Sequence, residues 1–152
     1  MIDLDIQRQL EAPDLPGDAS FKAWARHALS GSGPVMVNLR IVDQAEGWAL
    51  NREWRGKDSA TNVLSFPADH PDVDGVRVLG DVVLCAPVIA REAMEQGKSP
   101  ESHWAHLTIH GLLHLLGFDH IQAQEAQAME AREIELMAGL GFANPYDNHD
   151  GS

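Results

Sequence analysis

Residues 110–120 read His-Gly-Leu-Leu-His-Leu-Leu-Gly-Phe-Asp-His, and this stretch constrains the fold more than any other. Its histidines stand at i, i+4 and i+10. Residues four apart on an α-helix lie on one face, a turn apart, so His110 and His114 can reach one small cation. Gly117 comes three residues before the third histidine. Glycine takes the left-handed backbone that ends a helix, and the chain can then double back and bring His120 to the same point. Three imidazoles with a fourth position left for water describe a catalytic zinc centre, whereas a structural one is closed by four protein ligands. Imidazole also suits other divalent metals, so the spacing predicts one cation per chain more firmly than it names zinc.

The same offsets occur in metzincin proteases, where a glutamate follows the first histidine and serves as general base. Here that position is Gly111, so a peptidase of this type would lack its proton-transfer group. A residue with no side chain allows another element, or a polymeric substrate, to approach closely. A basic segment, Arg55-Gly56-Lys57, supplies a different partner for the metal. Guanidinium binds phosphate through two parallel hydrogen bonds, and lysine adds a point charge. A three-histidine metal with an arginine suits phosphodiester cleavage: the cation activates water and polarises a phosphoryl oxygen, and the arginine stabilises developing charge.

Arg55 and His114 are therefore the catalytic candidates, and His110, His114 and His120 the metal ligands. Arg55, Lys57 and His106 are candidates for holding substrate. His106 lies one turn before His110 on the same face and is open to three roles: partner to a ligand, substrate contact or proton carrier. Asp119 is expected to hold the turn or to orient a metal ligand from behind, and it is also the nearest carboxylate that could accept a proton. His103, near the helix start, reads as a surface residue. Cys85 reads as a small buried hydrophobe, and Met129 and Met137 as core.

Periodicity gives the rest of the chain. Apolar–polar alternation marks strands over 2–10, 35–42, 62–66 and 78–85, with Pro67 expected to stop the third. Helices are expected over 18–29, 44–54, 87–96, 99–116 and 122–138. The fourth opens with Ser99 as cap, Pro100 at the first position and Glu101 in the first turn. The fold class is α+β: a single domain over 1–152, with a mixed sheet of about four strands packed with about five helices. The metal site falls on a central helix and the turn after it. Residues 143–152 read as a loose tail.

The net charge of −12 argues against a sequence-independent nucleic-acid binder, which would be basic, yet leaves room for a local basic groove. One cysteine in 152 residues excludes an internal disulfide framework. No apolar run approaches the roughly 20 residues needed to span a bilayer, and the first residues do not read as a signal peptide. A cytoplasmic protein with no membrane partner is the expectation.

The 110–120 stretch resembles the signature of the bacterial YbeY endoribonucleases. The resemblance extends to Asn51–Pro67, which matches the family's arginine-containing segment, and to Leu79-Gly80-Asp81. His103–His106 and the region from Glu133 to Tyr146 are similar too, so the match covers residues 35–146. Phe118 is the one departure in the signature, where many members have tyrosine; that removes a hydroxyl and leaves the ring. The resemblance implies a metal-dependent endoribonuclease specific for single-stranded RNA. It would act on the 3′ end of small-subunit (16S) ribosomal RNA and in ribosome quality control. The implied zinc ligands are His110, His114 and His120, with Arg55 as the matching arginine. The implied partners are small-subunit ribosomal proteins and the GTPase Era. Two rivals stand beside this reading: a ribosome-assembly factor with a structural metal, and a zinc peptidase lacking the usual glutamate.

Overall fold

Alternating apolar residues place strands β1 (Ile2–Arg8), β2 (Val35–Val42), β3 (Val63–Pro67) and β4 (Arg77–Cys85) in one sheet of order β1-β2-β4-β3. The structure is a computed structural model and describes residues 2–10, 15–55, 61–68, 71–118 and 122–146. Strands β1, β2 and β4 run parallel, and β3 lies antiparallel on β4. Parallel neighbours need crossover connections, which α1 (Asp18–Ala28) and α2 (Gln44–Arg55) supply. Helices α3 (Ala86–Glu95), α4 (Pro100–Leu115) and α5 (Ala123–Gly139) follow the last strand. The α+β class, the mixed four-stranded sheet and the five helices agree with the pattern read from the chain.

One face of the sheet carries the main core. Val35, Val37, Leu39 and Ile41 are fully buried there with Phe21, Trp24 and Trp104 from the helices. Phe21 meets both tryptophans edge-on, at centroid distances of 5.4 and 5.9 Å. On the other face a smaller cluster of Val42, Leu64, Val83, Cys85 and Val88 packs with Leu50 of α2. Cys85 is 1% exposed, and burial pushes its thiol pKa up, as suits an inert core residue.

Two details depart from simple alternation. Leu79, Val82 and Leu84 all enter the main core, although the first two are three residues apart. The register slips opposite Met36 and Val37, at Gly80, whose φ is +132° and where a Cβ would lie 2.2 Å from the Phe66 carbonyl oxygen. Only glycine fits such a bulge. Pro67 does not stop β3 but ends it in register with Gly80. This is tolerated because β3 is an edge strand and needs no further donor there.

Helix α4 is the centre of the molecule, with eleven of its sixteen residues buried. A helix apolar nearly all round has packing partners on every side. Ser99 caps it, its Oγ accepting from the Ser102 amide at 3.1 Å, and Pro100 follows. Gly111 lets it settle onto the sheet: a Cβ there would lie 2.6 Å from Val82 Cγ1 and 3.2 Å from Val63 Cγ2. The Ser65 hydroxyl donates to the Gly111 carbonyl at 2.9 Å. The expected close approach of another element at Gly111 is thus an approach by β3 and β4.

Candidate metal centre

The last turn of α4 ends as its sequence requires. Gly117 has φ +106°. Its amide bonds to the His114 carbonyl at 3.0 Å, and the Phe118 amide bonds to the Leu113 carbonyl at 3.0 Å. This pair of bonds closes a helix and reverses the chain. His110 and His114 are both partly exposed at this end, their ring centroids 4.8 Å apart. Beyond the turn, α5 packs back along α4. Asp119 and His120, in the short connection, lie outside the described residues. So do Lys57 and the side chain of Arg55; Arg55 itself is the last residue of α2.

A carboxylate that the sequence reading passed over stands behind the histidines. Glu133 of α5 is 0% exposed. His106 Nε2 lies 2.5 Å from its Oε2, and His110 Nδ1 lies 3.3 Å from its Oε1. The Tyr146 hydroxyl donates to both oxygens, at 2.8 and 2.9 Å. Burial by itself pushes the Glu133 pKa up, but hydrogen bonds from His106 and then His110 outweigh it and hold the value at about 2. The group is therefore a charged acceptor at neutral pH. Burial, reinforced by the Glu133 charge, raises the Tyr146 pKa, so the phenol keeps its proton and donates.

Among the described residues, His106, His110 and Glu133 form a group that could hold a metal ion, their ligand atoms all within 4.8 Å of one another. His106 is 8% exposed, and its partner lies inside the protein. Tyr146, which composition places in a loose tail, sits with its ring 5.2 Å from that of His106, edge to face. The Lys98 ammonium holds the neighbouring Pro145 carbonyl at 2.8 Å.

His103 corrects the expectation of a surface residue: it is 3% exposed. The reason is Glu92 of α3, whose Oε1 lies 2.9 Å from His103 Nε2 and gives the buried ring a partner. Asn62, just before β3, donates to the same carboxylate at 3.1 Å. Burial lowers the His103 pKa against the opposing pull of Glu92.

Glu133 carries a signal that could have found it. It stands with Met129, Leu136 and Met137, all buried, at helix spacing on one face of α5. A glutamate inside an apolar stripe is out of place unless something pairs with it.

Comparison with known proteins places the chain in a family. The family model for Endoribonuclease YbeY matches residues 7–141. The chain is 55% identical over 148 residues to an Endoribonuclease YbeY of Pseudomonas putida, covering 96% of this chain and 94% of that one. It is 52% identical to one of Pseudomonas fluorescens, covering 96% and 97%. The solution structure of TM1509 from Thermotoga maritima superposes with a TM-score of 0.58 at 24% identity, over 97% of this chain and 99% of that one, and shares the fold. This chain belongs to the YbeY endoribonuclease family, hydrolases that cut phosphodiester bonds within RNA.

Proposed function

We propose that this protein is a zinc-dependent, single-strand-specific endoribonuclease of the cytoplasm, one domain over residues 1–152. Its task would be maturation of the 3′ end of small-subunit (16S) ribosomal RNA and ribosome quality control. The observation that carries the metal reading is the pairing of His110 and His114 at the open end of a buried helix, with Glu133 behind His110. A carboxylate on one imidazole nitrogen is the usual support for a histidine that binds metal through the other. In this reading His110 would bind the ion through Nε2, beside His114, and His120 would be the third ligand. Bound there, zinc would supply Lewis-acid activation of water and of the scissile phosphate.

The chain's own groups do the rest. Arg55, with Lys57, would hold the phosphate and stabilise its charge as the bond breaks. Asp119 would brace the turn that delivers His120. His106 would act from within, donating to Glu133, more than by touching RNA. At −12 overall, the protein would bind free RNA weakly. Basic small-subunit proteins, with the GTPase Era, would bring it to its substrate; subunit binding that strengthens as salt rises would contradict this.

A second arrangement is supported by the His106, His110 and Glu133 group itself, which could hold the ion directly. Three donors already converge on Glu133, which favours the three-histidine set. Zinc K-edge fine structure separates the two, as three imidazoles or as two with a carboxylate. The central test is elemental analysis with RNA cleavage. One zinc per chain is expected, with cleavage of unstructured RNA lost on chelation and restored by zinc. Cleavage that persists in the metal-free protein would end the proposal, and an assembly factor with a structural metal would show none at any stage.

A further inference from the structure

Glu133 belongs to α5, His110 to α4 and Tyr146 to the segment after α5, and the three meet inside the protein. The packing of α5 on α4 does not call for a carboxylate here. An apolar side chain would continue the stripe of Met129, Leu136 and Met137. The acid serves the groups it touches.

An imidazole can carry its proton on either nitrogen, and its ring can turn about the Cβ–Cγ bond. A charged carboxylate at Nδ1 removes both freedoms: it holds the proton on Nδ1 and leaves the lone pair on Nε2. A glutamate, however, has three rotatable bonds, and it faces two histidines. Tyr146 removes that freedom in turn. Its hydroxyl straddles both carboxylate oxygens at 2.8 and 2.9 Å, and its ring stands edge-on to His106. Tyr146 is itself held from outside the site. Pro145 is buried, Lys98 grips the Pro145 carbonyl at 2.8 Å, and the Asn144 side chain accepts the Tyr146 amide at 2.8 Å.

We propose that Glu133 and Tyr146 are a positioning couple for His110, closed by the strap Asn144–Tyr146, and that this strap sets how tightly the centre holds its metal. The proposal rests on the reading of His110 as a metal ligand. Neither residue touches the ion or the RNA. Both act through the ring of His110.

The experiment measures zinc affinity by competition with a chromophoric chelator, on the full chain, for the parent, Tyr146→Phe, Glu133→Gln and His114→Ala. Removing a group that orients a metal ligand costs about 10–100-fold in affinity. Glu133→Gln is expected in that range and Tyr146→Phe near its lower end, about tenfold, with the circular dichroism of the parent. In histidine-selective 15N spectra of the zinc-free protein, the signal absent from His110→Ala should show the proton on Nδ1 in the parent and a mixture of tautomers in Tyr146→Phe. Parent-like affinity and tautomer in Tyr146→Phe would overturn the couple. If Glu133→Gln does not fold, Tyr146→Phe decides alone, because Tyr146 lies at the edge of the site and is 43% exposed. Failure of the underlying reading looks different: the parent binds no zinc, or His114→Ala binds it as well as the parent.

Discussion

Helix α4 carries two imidazole–carboxylate pairings on one face, and they are built differently. Near its start, His103 meets Glu92, whose side chain is 26% exposed and also takes the Asn62 amide. That acid sits at the edge of water and ties α3, α4 and the approach to β3 together. Two turns on, His110 shares Glu133 with His106 and Tyr146, and this acid has no exposure at all. Taking a carboxylate fully out of water costs several kcal/mol even when it is well paired. The first pairing shows that an acid at the surface suffices to join elements. The second buries more charge than joining them requires, and the excess marks where positioning matters.

Substitutions in the two pairings, and in His114 beside the second, test this contrast. The largest difference is expected in catalysis. His114→Ala should lower kcat/KM on single-stranded RNA by roughly 10³-fold or more, the scale of losing an essential group. His103→Gln should stay near the parent, and a comparable loss there would erase the distinction. Stability comes next. Glu133→Ala leaves two imidazoles and a phenol facing a hole and should cost about 3–5 kcal/mol in urea unfolding at neutral pH, the range for breaking a buried pair. Glu92→Ala should cost about 1–2 kcal/mol, since water can replace the lost acceptor. Equal costs would mean that burial does not separate the two acids. The smallest effect is in pH. Burial lowers the His103 pKa below its ordinary 6.5, so between the folded value and 6.5 the unfolded chain binds more protons. The contribution is fully present above 6.5 and is lost as pH falls through the folded value. His103→Gln should flatten the decline in urea midpoint as pH falls below 6.5; an unchanged decline would assign it to other groups.

Helix α4 was legible because its information is local. Ser99 and Pro100 open it, Gly117 closes it, and His110 and His114 are one turn apart within it. The strands were legible for the same reason, from alternation in Val35–Val42 and its neighbours. What the sequence hid is what depends on distant partners. Glu133 lies 23 residues from His110 and looks like Glu130 and Glu135 until burial separates it from them. His103 looked exposed because its cover, Glu92, comes from another helix. The placement of β4 between β2 and β3 is likewise a matter of pairing, which alternation within a strand does not encode. Tyr146 was lost in a polar tail whose composition says nothing of the Lys98 and Glu133 that hold it.

Gly111 has an evolutionary consequence. It occupies the place where a zinc peptidase keeps its glutamate, and it is where α4 presses against Val82, Val63 and Ser65. The first carbon of any side chain would already overlap a methyl of Val82. A glutamate at this place would need the Val82 side chain to give way before the new base could enter. Two hydrolase families that share a histidine spacing are thus separated by packing at this position as well as by a difference in catalytic groups.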